Sequence, residues 1–237
     1  MIVQIYEVTS AAEAHALGTM GVDHIGVLVG DGSFPREQPI EKAREIFDAA
    51  PAGSKTSALS LSQDLDLISR IAAAILPDIL HLGAATEYVS PAHLRTLKDE
   101  FPKISLMRSI PVIDEGSIAL ARSYDGVADW LLLDSYESGD RQIGAVGVTH
   151  SWELDRRIVR SVRIPVIIAG GLGSENVQNA IRVARPAGVD SKTKTDRNDG
   201  THTKDLQKVS AFVTAARSTK KASLRPRLDF TGKSENC

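Results

Sequence analysis

Cysteine is almost absent from this chain: the single one, Cys237, stands at the last of 237 positions, so no internal disulfide can form. A disulfide-stapled scaffold is excluded, and a reducing, cytoplasmic setting is expected. Aromatic residues are sparse too, at 5%, which argues against a surface on which nucleic-acid bases stack. Neither sign of charge dominates: 28 Lys and Arg stand against 30 Asp and Glu, a formal net charge of -2. Neither nucleic acid nor an anionic membrane surface is expected as a partner. No apolar run approaches the roughly 18 residues of a membrane helix. The opening MIVQIYEVTS lacks the basic stretch and long apolar run of a signal peptide, so none is expected. No spaced cluster of His, Asp and Glu requires a metal, and no cofactor is expected.

What is present is a regular alternation. Short apolar runs lie at 2–8, 24–30, 55–61, 78–83, 104–110, 129–135, 165–171 and 188–195, and a helical pattern follows each one. Several of these patterns open on a residue suited to cap a helix: Ser10, Asp64, Ser90, Ser151 and Ser174. Strands alternating with helices form parallel sheets, and eight such units are the number that closes a (β/α)8 barrel. A doubly wound open sheet is the alternative. The barrel is expected as a single domain over residues 1–217, a length such folds commonly use. Residues 218–237 are polar and aperiodic and are expected to form a flexible tail. A homo-oligomer is compatible with all of this.

A barrel does its chemistry at the C-terminal ends of its strands. In PVIIAGGLGSENV an apolar strand ends in Gly170 and Gly171, where backbone N–H groups can approach a ligand closely. The next run, GVDSKTKT, carries Asp190, Lys192, Thr193 and Lys194. Read as a strand, it points Lys192 and Lys194 the same way, and lysines and hydroxyls suit a phosphate. Gly144 and Gly147 form a third permissive loop after strand six. Acid–base candidates stand at the other strand ends. Asp134 closes LLLDS on the face shared by Trp130 and Leu132, looking into the mouth, where a carboxyl can have a raised pKa. His81 can shuttle protons near neutral pH. Alternation puts Gln4, Tyr6 and Val8 on one face and Glu7 on the other. Arg36 and Arg108 are candidate anion clamps, and Asp190 can serve a substrate hydroxyl or orient a lysine.

PVIIAGGLGSENVQNAIRVARPAGVD closely resembles the strand-seven to strand-eight segment of the phosphoribosylanthranilate isomerase family. LLLDS, IVQIYEVTSAAEA, FPRE and the pair Lys204-Asp205 extend the resemblance over residues 2 to about 217. The resemblance implies a general-acid role for Asp134 and a carboxylate-binding role for Arg36. The family's opening motif, Lys-Ile-Cys-Gly, supplies its general base through the Cys. Here the corresponding run is Gln4-Ile5-Tyr6-Glu7. Tyr6 takes the place of the base and Glu7 the place of the Gly, which leaves Glu7, His81 and Tyr6 as candidate bases, Tyr6 only with a depressed pKa. The reading favoured by the sequence is an acid–base isomerase of a phosphorylated sugar-like compound with an altered substrate. Two others stay open: an aldolase or epimerase using Lys192 or Lys194, and a barrel that binds a phosphosugar without catalysis.

Overall fold

The computed structural model describes residues 1–135, 143 and 150–222, the last four as helix backbone only. Its eight strands are β1 (Ile2–Ile5), β2 (His24–Leu28), β3 (Lys55–Ser60), β4 (Ile79–Leu82), β5 (Ser105–Pro111), β6 (Trp130–Asp134), β7 (Val166–Ile168) and β8 (Gly188–Ser191). They lie parallel in chain order, and β1 pairs with β8 to close the barrel. The open sheet is thereby excluded. The helices that follow the strands are α1 (Ala11–Thr19), α2 (Ile40–Asp48), α3 (Leu65–Ile75), α4 (Pro91–Glu100), α5 (Gly116–Tyr124), α6 (Trp152–Ser161), α7 (Val177–Ala184) and α8 (Leu206–Ala222). None of these is long and apolar enough to cross a membrane.

Alternation along each strand divides the core in two. Val3, Ile5, Ile25, Val27, Leu80, Leu82, Leu131, Leu133 and Val189 face outward and pack beneath the helices. Tyr6, Ile79, Met107, Leu132, Ile167 and Ala169 fill the barrel itself. Ser10, Asp64 and Ser151 cap α1, α3 and α6 by accepting backbone N–H bonds, and Ser90 precedes α4.

Several boundaries differ from the sequence expectation. β1 stops at Ile5, because Glu7 adopts a left-handed backbone (φ 58) that cannot continue a strand. Its partner β8 accordingly ends at Ser191, where the ladder ends at Ile5↔Ser191, and a 3-10 turn follows over Thr193–Thr195. Lys192 and Lys194 therefore do not share a strand face. Ser174 does not cap α7. Asn176 precedes that helix, and its side chain accepts from Gly173 N–H and donates to the Gly171 carbonyl, bracing the glycine turn. The last helix runs on to Ala222, past the expected start of the tail at 218. The rest of that segment and both loop glycines, Gly144 and Gly147, lie outside the described residues.

Gly26 makes room for the Tyr6 ring: a Cβ there would lie 2.1 Å from Tyr6 Cδ1. A ring held on both sides cannot yield that distance cheaply, and overpacked cores lose about 1–3 kcal/mol. Gly26→Ala is expected to lower the urea midpoint accordingly. An unchanged midpoint would mean that the ring has freedom to move aside.

Candidate active site

The C-terminal strand ends surround a cavity of about 260 Å³. Tyr6, Glu7, Arg36, His81, Asp134, Asp190 and Lys192 all line it, with Leu28, Leu59, Leu61 and Leu132 between them. A smaller recess of about 40 Å³ adjoins it, lined by Gly170, Gly171, Leu172, Ser191, Thr193 and Lys194. Asp134, Asp190 and Lys192 border both. Residues from β4, β6 and β8 and from the loops after β1, β2 and β7 are thus brought together.

The floor of the cavity is a chain of neutral polar groups. The Tyr6 hydroxyl lies 2.6 Å from Ser57 Oγ and 2.6 Å from His81 Nδ1, and His81 Nε2 lies 2.7 Å from Ser109 Oγ. A neutral imidazole donates through one nitrogen and accepts through the other, so the chain satisfies all four groups. Burial lowers the His81 pKa to about 3, helped by the charge of Arg108. His81 is therefore neutral at pH 7 and does not titrate there, contrary to the shuttle expected of it. Burial also raises the Tyr6 pKa well above its ordinary value; the Ser57 hydrogen bond opposes this and the Asp190 charge adds to it. A depressed Tyr6 pKa, the condition for its use as a base, is contradicted. Sequence reading missed Ser57 and Ser109, although period-two alternation from Leu59 and Met107 places both inside the barrel.

Two carboxyls stand above this floor. Burial raises the Asp134 pKa to about 6, against the pull of the Ser135 N–H 2.8 Å away. Asp190 is pushed further, to about 8, first by burial and then by the charge of Asp134. Its hydrogen-bond partner is Gln4 Nε2 at 3.2 Å, and Gln4 Oε1 in turn accepts from His24 at 3.0 Å. Asp190 thus anchors a buried side-chain chain that the sequence did not reveal. At neutral pH Asp190 keeps its proton while Asp134 is largely ionised.

The charged wall is built on Glu7. Arg36 donates to it through Nε (2.5 Å) and Nη2 (3.2 Å), and Lys192 Nζ lies 3.1 Å from Oε1. Burial alone would raise the Glu7 pKa, but the two cations outweigh it and hold the carboxylate ionised. Glu7 was expected to face away from Tyr6. Its left-handed backbone breaks the alternation and swings it into the same cavity. Lys194 lies apart, 3.8 Å from the exposed Glu175. Both lysines considered for covalent chemistry are thus engaged by carboxylates.

Arg108 is not an anion clamp. It points outward from β5, wholly buried, and donates to the carbonyls of Leu82 and Ala84. Its guanidinium carbon sits 5.6 Å from the centre of the Tyr124 ring. The residue ties the end of β4 to its neighbour. Lys204, of the Lys204-Asp205 pair, is likewise buried and ion-paired to Asp196. That pair fastens the loop between β8 and α8, and Asp205 accepts the N–H of Gln207 at the start of the helix.

The turn after β7 explains its glycines. Gly170 and Gly171 have φ of 80 and 60, a region that side chains rarely enter. Successive backbone N–H groups in such a turn form a concavity suited to an anion, and the recess opens onto it.

A (β/α)8 barrel with a perturbed carboxyl pair beside a glycine-lined recess belongs to the class of barrel enzymes that work at their C-terminal rim. The model of the N-(5'-phosphoribosyl)anthranilate isomerase family matches residues 4–215. The enzyme of that name from Methanocella arvoryzae is 34% identical over 92% of this chain and 99% of its own length. The solved structure of the Pyrococcus furiosus isomerase superposes with a TM-score of 0.74 at 26% identity, covering 92% of this chain and 99% of that one. A further family structure is a complex with reduced 1-(o-carboxyphenylamino)-1-deoxyribulose 5-phosphate. It covers 92% of this chain and 100% of its own, with a TM-score of 0.71; its 21% identity supports the fold alone. This chain belongs to the phosphoribosylanthranilate isomerase family.

The state of Asp190 has a consequence for stability. The folded chain keeps its proton up to about pH 8, whereas an aspartate in an unfolded chain loses it near about 3.9. Between those values the folded state binds the extra proton, so this group's contribution to stability falls as pH rises. Asparagine imitates the protonated acid and does not ionise. Asp190→Asn is expected to change Tm little at about pH 4 and to raise it at about pH 8.5. A Tm lowered at the higher pH would show that the fold uses the carboxylate charge.

Proposed function

We propose that this protein is an isomerase of a phosphorylated sugar-like compound, working by acid–base proton transfer in an Amadori-type aldose-to-ketose shift. The observation that carries the reading is Asp134, whose pKa is raised to about 6, bordering both the larger cavity and the glycine-lined recess. Family membership supports it, since the relatives are named phosphoribosylanthranilate isomerases. The ligand of the family complex is a 5-phosphate of an open-chain sugar with an arylamino group on C1.

In this reading the phosphate occupies the recess, held by backbone N–H groups at Gly170 and Gly171 and by Lys192, Thr193 and Lys194. Asp134 gives a proton to the ring oxygen as the ring opens. A base then removes the proton from C2, and the resulting enol(amine) becomes the ketose. Tyr6 and His81 are neutral and tied into the floor, so Glu7 is the candidate that presents an ionised carboxylate to the cavity. Asp190, protonated, donates a hydrogen bond to a substrate hydroxyl.

Asp134→Asn is expected to fold, to bind ribose 5-phosphate as the wild type does, and to lose turnover of N-(5'-phosphoribosyl)arylamines, assayed with both the anthranilate and the carboxyl-free aniline, by at least about 100-fold on whichever the wild type converts. An unchanged rate would remove Asp134 from the mechanism. In the wild type kcat/KM should fall as pH rises past about 6, because the donor loses its proton. A rate flat across that range would count against a carboxyl donor.

A further inference from the structure

The ion pair between Arg36 and Glu7 bears on what the substrate carries at the end opposite its phosphate. Arg36 presents its Nε and Nη2 donors to the two oxygens of one carboxylate, the fork-to-fork arrangement in which a guanidinium binds a carboxylate ligand. The carboxylate already in place is the protein's own. Glu7 is 8% exposed at its side chain and is held on its other flank by Lys192.

The pairing is built in at the level of the backbone. Glu7 and Arg36 both have left-handed φ, 58 and 70. For residues with side chains such conformations are strained, and they persist where the surroundings over-determine them. Glu7 corresponds to the Gly of the Lys-Ile-Cys-Gly motif, and its own backbone is one that glycine adopts freely.

We infer that Glu7 supplies Arg36 with an internal carboxylate, so that this chain takes a phosphorylated sugar whose far end carries no carboxylate. The inference rests on the phosphosugar reading above and deepens it. A second carboxylate brought to Arg36 would meet the like charge of Glu7 and would find the Nε and Nη2 donors already taken by it. Leu28, Pro35, Leu59, Leu61 and Ile143 give that cavity an apolar stretch of lining besides its polar groups. That lining suits an uncharged, flat or aliphatic group. The one cation beyond balance in the trio of Arg36, Lys192 and Glu7 is Lys192, which also borders the recess proposed for phosphate.

Calorimetric titration of the full chain tests this with three probes: ribose 5-phosphate, reduced 1-(o-carboxyphenylamino)-1-deoxyribulose 5-phosphate, and its phenylamino counterpart lacking the carboxyl. The wild type should bind the phenylamino compound at least as tightly as the carboxylated one. Glu7→Gly relieves the left-handed backbone and frees Arg36, and it should move the preference toward the carboxylated compound by at least about tenfold. Arg36→Gln should leave the wild-type preference in place, because Arg36 does not serve the ligand. A wild type that binds ribose 5-phosphate yet prefers the carboxylated compound tenfold, losing that preference in Arg36→Gln, would overturn this inference alone. Failure of all three probes to bind would overturn the phosphosugar reading, and this inference with it.

Discussion

The short ladder between β1 and β8 is the constraint on which the site depends. It runs from Ile2↔Gly188 to Ile5↔Ser191 and then stops. Closure of the barrel requires it, since an eight-stranded parallel sheet has no other way to satisfy its two edges. Its early end frees both chains at the same height. On one side the backbone turns left-handed at Glu7; on the other it winds into the turn that carries Thr193 and Lys194. The carboxylate of the first and the ammonium of Lys192 then meet at 3.1 Å. The charged wall and one side of the glycine-lined recess are thus two consequences of one strand pairing.

Burial sets the protonation states within this frame. Taking a charge out of water disfavours the charged form, whichever its sign. Tyr6 and His81 are deepest and are driven neutral from opposite directions. Asp134 and Asp190 are raised to about 6 and about 8, in that order because the second must ionise beside the first. Glu7 escapes because two cations lie within hydrogen-bonding distance. The cavity is therefore neutral at its floor, holds a proton at Asp190 and is ionised at Glu7.

Much of the fold was legible because the eight apolar runs repeat with helices between them, which implies a parallel sheet and a count that suits a barrel, while its closure shows only in the β1–β8 pairing. Strand ends were not legible, since a strand ends where its partner leaves, and the partner of β8 is nearly the whole chain away. Asp134, Asp190, Gly170 and Gly171 could be placed because they follow the pleat or the turn chemistry. Glu7 could not, because alternation presumes extended backbone and its φ is 58. Arg108 was misread as a rim residue. The same pleat that turns Ser109 inward toward His81 turns Arg108 out toward Tyr124. The chains Ser57–Tyr6–His81–Ser109 and His24–Gln4–Asp190 join residues far apart in sequence, and no local pattern announces such pairings.

Tyr6 and Glu7 are neighbours, and together they alter the family's opening strand in a coherent way. A tyrosine in place of a small thiol needs space, and Gly26 opposite provides it: the ring lies where a Cβ would be. The hydroxyl at its tip reaches Ser57 and His81, so the added bulk is also hydrogen-bonded, as a buried phenol must be. Tyr6 is thereby a neutral, hydrogen-bonded part of the floor. One position further on, the chain regains an ionised group, but in the grip of Arg36 and Lys192. A carboxylate held by two cations stays charged and is a weaker base than a free one. Its stronger effect is on the field of the cavity. Arg36, which the family motif would offer to a ligand, is here neutralised from within. The two replacements act on different properties, packing beneath and charge beside, within a barrel that still closes.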